Sequence, residues 1–454
     1  MFYDNNVTLS DLNELEDVYD KIAIKNDITD KDIEEMRECI LYFIDDFIES
    51  NIEMYMDKSF ESNIYVSTEE MLYKSYNDYL LQNFNISELI SECIDIYFST
   101  NVKRSYKNTK INFKPNVKKI DNLLKSYENM EQPEQKTVEW YNFRWELLTA
   151  SSIWKALDTQ SNQNNLILSK CAPINMKKHS SVNINSPFHN GHKYEPLSTM
   201  LYEYDNNTII GEFGCIRHPT ISFLGASPDG INIKKDSLLY GRALEIKNPV
   251  NRELTGIPKK DYWVQMQLQM EVWDLEEVDF YETCFKEYDN EEQFNLDGDF
   301  SRTKMNKRKG IIIQFFNGTK PVYYYPPVDI NKDEFDKWYN NCLDSNTELN
   351  WIKNIYWYLD DYSCVTVPRN KKWFNTVLPK FENIWNTIVK ERKEGYEHRK
   401  PSKKRKKKSI EQKTVNIQDM NTLFKDTSVS PKIKQDNVVI KIRTQSFDEL
   451  KKVN

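Results

Sequence analysis

The sequence predicts an α/β protein in which a mixed set of short strands lies between two helical regions. Three observations carry this reading. Apolar residues recur every three or four positions through the first hundred residues, which is the helical period. Between residues 209 and 325 the pattern becomes short alternating runs bounded by Gly, Pro and Asn, which is the strand signature. Beyond residue 332 the helical period returns, anchored by several Trp residues.

At 454 residues the chain exceeds one ordinary domain, so two or three units are expected. A hydrophobic content of 39% supports a buried core, and 29% charged residues suit a soluble protein. No apolar run approaches the ~20 residues of a membrane helix, and the Asp-rich start does not read as a secretory signal. The seven Cys residues (39, 93, 171, 215, 284, 342 and 364) are scattered without a C-x-x-C pair. That spacing argues against a disulfide framework, a zinc site or an iron–sulfur cluster, and favours a reducing compartment. No G-x-x-x-x-G-K-[ST] loop is present, so no nucleotide cofactor is expected.

The net charge of −8 is unevenly spread. Residues 1–60 hold seventeen Asp and Glu against five Lys and Arg, whereas residues 390–408 hold eleven Lys and Arg against three Glu. A protein that handles nucleic acid need only concentrate positive charge somewhere.

The elements follow in order. Residues 1–102 read as a helical accessory domain. Thr29 caps a helix along Ile33, Met36, Ile40, Phe43 and Phe47, and a capping box at Ser67 and Glu70 opens another. Residues 103–136, with Pro115 and Pro133, read as a connector. The core is expected over 137–330. It opens with a short helix around Trp140 and Arg144, then a second helix capped by Thr149 or Ser151. Arg144 suits either an ordinary ion pair or an anion, and a helix start is itself an anion site.

Ser186 and Pro187 signal the start of another helix. Gly191 and Glu195 share one face of it, and Pro196 should kink or restart it. Gly191 would let a backbone or a substrate approach closely. His189 and His192 lack a third ligand and make a weak zinc site. A hairpin over 209–226, turning at His218-Pro219-Thr220, leads into Ser227-Pro228-Asp229-Gly230. A strand over 238–247 follows, then a buried helix over 262–270 with Gln265, Gln267 and Gln269. Further strands are expected at 278–285, 311–316 and 322–325. Residues 331–393 read as a helical extension, with helices at 333–351 and 371–393 and Trp338, Trp351, Trp373 and Trp385 as packing anchors. Residues 394–454 read as a disordered basic tail. Its run Lys403, Lys404, Arg405, Lys406, Lys407 and Lys408 suits non-specific DNA binding or nuclear import.

The chemistry concentrates at residues 225–249. On a strand, Glu245 and Lys247 share one face while Leu244 and Ile246 point the other way into apolar packing. Asp229 precedes them on a Ser-Pro turn. Two carboxylates and an ammonium converging on one spot suit a hard cation and a phosphate group.

Taken in order, these blocks resemble the lambda-exonuclease/YqaJ family of viral recombination nucleases, within the PD-(D/E)XK superfamily. The resemblance covers roughly residues 139–316. It rests on Trp140, Arg144, Thr149, Ala150 and Ser151; on Gly191 and Glu195; on Ser227 to Gly230; on Leu244 to Pro249; and on Tyr262, Gln265 and Gln267. It implies a restriction-endonuclease-like core, a mixed central sheet flanked by helices, with helical N-terminal and C-terminal extensions.

The resemblance further implies a Mg²⁺-dependent deoxyribonuclease, with Mn²⁺ as an alternative ion, that resects double-stranded DNA from 5′ ends. Asp229 and Glu245 would be metal ligands, with Glu195 completing the acidic site directly or through water. Lys247 would be the catalytic lysine and Gln265 would brace the site. Arg144 and Ser151 would receive the terminal 5′-phosphate. An endonuclease on the same core and a non-catalytic DNA-binding or recruitment protein are the alternatives. A single-strand annealing protein is the implied partner. A homo-oligomer is compatible, although the terminal extensions keep the toroidal trimer of compact members from being carried over. The location would be the nucleus, from the basic run, or the cytoplasm of an infected host cell.

Overall fold

The computed structural model describes residues 28–76, 81–82, 84–107, 115–128, 130, 132–174 and 187–400. The basic run Lys403 to Lys408, the expected disorder of residues 401–454 and the cap at Ser186 lie outside the described residues. Residues 394–400, also expected to be disordered, are instead ordered, with a short 3-10 helix over Glu397–Arg399.

Three helices open this part of the chain: α1 (Asp30–Ser50), α2 (Phe60–Ser75) and α3 (Ile86–Thr100). Thr29 caps α1 in a reciprocal box with Asp32, and Met36, Ile40, Ile44 and Ile48 form its buried stripe. The capping box expected at Ser67 is absent because those residues lie inside α2. Phe60, Ile64, Thr68 and Leu72 are buried at four-residue steps, so the helix starts a full two turns earlier. The connector carries structure too. A short strand β1 (Tyr106–Lys107) precedes the helix α4 (Val117–Glu128).

The core then alternates short helices and strands. These are α5 (Val138–Trp145), β2 (Leu148–Thr149), α6 (Ala150–Ile153), α7 (Gln160–Cys171) and α8 (Pro187–Asn206), followed by β3 (Ile210–Gly211), β4 (Ile216–Arg217), β5 (Leu224–Ala226), β6 (Gly230–Asn232) and β7 (Ala243–Lys247). Helix α9 (Lys260–Val272) leads to β8 (Glu277–Glu287), α10 (Glu291–Leu296), β9 (Lys309–Phe316), β10 (Pro321–Tyr324) and α11 (Lys332–Asp344). A long strand β11 (Asn350–Pro368) and helix α12 (Lys371–Glu394) complete the fold.

Among the described residues, the main sheet runs β10-β9-β11-β8-β7-β6-β3, with β1 added against β11. Only β7 and β8 pair in parallel, so the sheet is mixed. Helices flank it: α8 covers Leu244, Ile246 and Tyr281 through Tyr202, and Phe285, Ile312 and Trp357 through Tyr194, Leu197 and Leu201. On the other side α9 packs with Phe280, Val365 and Val367. The same hydrophobic core continues through Trp373, Phe381 and Ile388 of α12 and into α1, α2 and α3. The accessory helices therefore bury their apolar stripes against the sheet-bearing core. No helix among the described residues is long and apolar enough to cross a membrane.

Several sequence expectations are corrected. Pro196 lies inside an unbroken α8. The expected 209–226 hairpin divides: β4 pairs β5, while β3 joins the main sheet through β6. The expected strand at 238 starts only at Ala243, since residues 238–242 turn, with Gly241 at φ +81°. The largest departure lies in the segment expected to be helical from 333 to 351. Helix α11 ends at Asp344, and a 19-residue strand, β11, begins at Asn350 and lies between β8 and β9 in the sheet. Trp351 is 49% exposed on that strand and anchors no core, whereas Trp373 is buried as expected.

Candidate active site

The site is built where β5, β7 and α9 meet. The β7 residues Leu244 and Ile246 face the α8 side. Alternation therefore turns Glu245 and Lys247 toward α9. Glu245 is fully buried. Its Oε1 accepts from Lys247 Nζ and, at 2.7 Å, from Gln265 Nε2; its Oε2 accepts from Gln269 Nε2 at 2.6 Å. Gln265 and Gln269 are four apart on α9 and so share one face. Gln267 points elsewhere: its amide donates to Pro368 O and its carbonyl accepts from Asn370 N.

Asp229 is brought to the same place by backbone pairing. Its N–H donates to Leu244 O at 3.1 Å, and its Oδ2 accepts from Ile246 N at 2.7 Å. The loop before it is clamped by α9, with Gln269 Nε2 donating to Ser227 O and Trp273 Nε1, just past the helix end, to Ala226 O. Gly230 follows because nothing larger fits: a Cβ there would lie 2.1 Å from Ile210 Cγ2 on β3.

The electrostatics reflect two carboxylates withdrawn from water. Burial, and then the charge of Glu245, push the Asp229 carboxyl well above its usual range. Burial pulls the Lys247 amine down, but Glu245 and Asp229 outweigh it and hold the amine protonated above its ordinary value. The ammonium also lies 5.2 Å from the centre of the Tyr262 ring, a cation–π contact.

Glu195 occupies the rim, on the part of α8 open to solvent. Its carboxyl is raised by partial desolvation and by Glu245, against the opposing pull of Lys247. Charge, then, couples it to the centre. Gly191 faces open space: a Cβ there would meet nothing within 4 Å, so no backbone of the described residues exploits it. His189 Nε2 bonds the Tyr323 hydroxyl at 2.6 Å, and His192 Nε2 lies 3.3 Å from Lys136 Nζ.

Arg144 and Ser151 are brought together as expected: Arg144 Nη2 donates to Ser151 Oγ at 3.2 Å, and the guanidinium lies over the Trp140 ring. Thr149 stands at the cap position of α6, with Ser151 in the first turn. The link to Asp229 is topological. Thr149 pairs in register with Gly225 on β5, and β5 runs directly into the Ser227–Asp229 turn.

A divalent cation would find few protein ligands here. Among the described residues, no group of three or more His, Cys, Asp or Glu side chains is arranged to hold a metal ion unaided. Asp229 and Glu245 nonetheless present hard oxygen donors where one ammonium faces two carboxylates. That deficit of positive charge fits Mg²⁺, which keeps several waters and needs few protein ligands.

Of two residues that the motifs did not single out, Gln269 belongs to this centre and Asn248 ties the end of β7 to α8 and β8. Gln269 was legible as the residue one turn beyond Gln265. Asn248 was not, since only the fold brings its amide to Ser198 and Thr283, both at 2.7 Å.

Residues 139–276 match the family model described as the YqaJ-like viral recombinase domain. This segment is similar to the YqaJ-like viral recombinase domain. All of Arg144, Ser151, Glu195, Asp229, Glu245, Lys247, Gln265 and Gln269 lie within it. The matched segment ends just before β8, so half of the main sheet is contributed by the chain beyond it. The chain is 32% identical over 298 residues to the uncharacterized protein R354 of Acanthamoeba polyphaga mimivirus, covering 57% of this chain. It spans about half, 53%, of that relative's length. Among solved structures it is similar to an alkaline exonuclease from Laribacter hongkongensis, at 20% identity and TM-score 0.32, over 58% of this chain and 95% of that one. A phage-related exonuclease from Haemophilus somnus 129PT aligns at 11% identity and TM-score 0.29, over 54% and 96%.

Proposed function

We propose that the protein is a divalent-metal-dependent deoxyribonuclease that hydrolyses DNA phosphodiester bonds, working 5′ to 3′ from the ends of double-stranded DNA in viral-type recombination or repair. The observation that carries this reading is Glu245, fully buried and held on both oxygens by Gln265 and Gln269 beside Lys247 and Asp229. Burying a carboxylate is costly, so a fold that fixes two beside a protonated amine is organised for a charged ligand. Asp229 and Glu245 would hold Mg²⁺ or Mn²⁺, with Glu195 acting from the rim. When bound, the ion supplies positive charge to a phosphoryl oxygen and acidifies water.

The chain's own groups account for the rest. Lys247, held protonated, donates to the scissile phosphate or to the attacking water and offsets the charge that develops there. Gln265 and Gln269 keep Glu245 from rotating. Arg144 and Ser151 present a guanidinium and a hydroxyl, which together suit a terminal phosphate. The Cys residues are free thiols, in keeping with a reducing location inside a cell. A single-strand annealing protein is the partner this activity would need for the exposed 3′ strand.

The test is purified protein with Mg²⁺ on linear duplexes labelled separately at each 5′ and 3′ end, with covalently closed circles alongside. Loss of 5′ label with intact circles is expected. Cleaved circles would instead make it an endonuclease, and no cleavage of any substrate would overturn the reading.

A further inference from the structure

The end of α5 is held in part from outside the matched segment. The last carbonyls of a helix lack intrahelical partners, and cations are favoured there. Here a buried lysine amine and an arginine supply the partners. Lys170 Nζ, on α7, donates to Arg144 O at 2.8 Å, and Arg392 Nη2, on α12, donates to Trp145 O at 2.7 Å. Arg392 Nε also donates to Lys170 O at 2.9 Å, which joins the two braces. The Arg392 guanidinium lies 3.6 Å from the centre of the Trp145 ring and 5.3 Å from that of Trp385. Trp145 Nε1 in turn donates to Ala172 O at 3.0 Å.

We infer that Arg392 is a positioning residue for Arg144, so that the last long helix of the described chain sets the recognition of the DNA 5′ end. The argument is geometric. Arg144 is the penultimate residue of α5, and its side chain leaves the helix where Lys170 and Arg392 fix the backbone. An end reader has to place a guanidinium to within a fraction of an ångström, and Arg144 is held on Ser151 at 3.2 Å and over Trp140 at 4.5 Å. If the α5 terminus turns, that side chain moves with it. Arg392 makes no hydrogen bond to the Asp229–Glu245–Lys247 centre, so its loss should affect end recognition and leave the hydrolytic chemistry in place. The residue also lies 116 positions beyond the end of the matched segment (392 − 276), so of the two braces only Lys170 lies within that segment.

This inference rests on the reading of Arg144 as the receptor of the 5′-phosphate, and its test separates the two. Digestion rates of full-length protein are measured on duplexes with 5′-phosphate and with 5′-hydroxyl ends, for wild type, Arg144→Ala, Arg392→Ala and Arg392→Lys. The expected result is that Arg392→Ala lowers the phosphate-to-hydroxyl rate ratio by roughly ten- to hundredfold, the cost of an ångström-scale misplacement. Arg392→Lys, which keeps the charge but loses the paired donors, should fall between. Rates on hydroxyl ends should change little in either. If Arg144→Ala collapses the ratio while both Arg392 variants keep it, or slow both substrates equally, Arg392 is merely structural and the inference fails. If Arg144→Ala itself leaves the ratio unchanged, the phosphate reading fails and the inference with it. Should Arg392→Ala not fold, as judged by thermal melting, the Arg392→Lys ratio decides.

Discussion

Gln269 holds Glu245 from the opposite side to the lysine: its amide donates to Glu245 Oε2 at 2.6 Å while Lys247 bonds Oε1. The same amide reaches Ser227 O, so one side chain fixes both the acid on β7 and the loop that delivers Asp229. Gln269→Leu leaves a buried carboxylate oxygen and a carbonyl short of a donor. The expected loss is about 1–3 kcal/mol of stability and roughly ten- to hundredfold in kcat, from misplacement of the acid. Gln267→Leu is the control. It breaks comparable bonds to Pro368 and Asn370, away from the acids, and should cost stability but not kcat. Denaturant melts beside single-turnover cleavage check both, and equal kcat loss in the two variants would remove Gln269 from the site.

Asp229 makes a prediction about the ion-free protein. Its carboxyl is raised above the ordinary 3.8 by burial and by Glu245. A carboxyl raised on folding favours the folded state below its ordinary value, and that contribution is lost as pH rises through the raised value. At neutral pH and above, without divalent cation, the ionised side chain therefore works against folding. Asp229→Asn keeps an acceptor for Ile246 N and removes the charge. The variant should be more stable than wild type in chelator at pH 8, with the advantage shrinking toward pH 4, and it should not cleave DNA. Adding Mg²⁺ should raise the melting temperature of wild type more than that of the variant. An advantage for Asp229→Asn that is independent of pH would contradict this account.

What could be read from residues alone depended on how local the physics was. Glu245 and Lys247 were legible because two-residue alternation fixes their shared face and sends Leu244 and Ile246 to the other. Arg144 and Ser151 were legible through their motif, and the structure joins them. β11 was not legible. It is covered on both faces along part of its length, and a bulge between Leu359 and Asp361 breaks its alternation, so no single period survives across Asn350–Pro368. The Ser67 box failed for a related reason. A local Ser-x-x-Glu signal was overridden by a longer apolar stripe that starts at Phe60. The Arg392 brace has no sequence signature, since it joins residues 247 positions apart.

Lys170 gives a pH dependence of the opposite chemistry. Burial, with Arg144 and Arg392 beside it and Lys155 nearby, lowers its amine from 10.5 to about 7, and only Cys215 opposes the shift. Between those values the unfolded chain still binds a proton that the folded protein has released, so stability rises with pH across that window. Lys170→Met removes the titrating group while keeping a similar volume. As pH rises from 7 to 10, the stability difference should move in favour of wild type, by about 1.4 kcal/mol at most for each pH unit crossed. Equilibrium unfolding in urea at pH 6, 8 and 9.5 measures it, and parallel curves for the two proteins would show that Lys170 keeps its proton.

Asn248 joins the helix that carries Glu195 to the strand that carries Lys247. Its amide donates to Ser198 Oγ and to Thr283 Oγ1, both at 2.7 Å, and those two hydroxyls lie 2.8 Å apart. Ser198 is three residues beyond Glu195 on α8, so this cluster sets how far Glu195 stands from the buried acids. Asn248→Ala leaves the two hydroxyls to bond each other and should cost about 1–2 kcal/mol. Because the residues share one network, the loss in Asn248→Ala and Ser198→Ala together should fall short of the sum by about 0.5–3 kcal/mol. Both single variants should also need more Mg²⁺ for half-maximal cleavage, and for half-maximal thermal stabilisation, while a control at exposed Tyr204 on the same helix should not. Additive losses with unchanged Mg²⁺ dependence would mean that α8 is positioned by its apolar contacts alone.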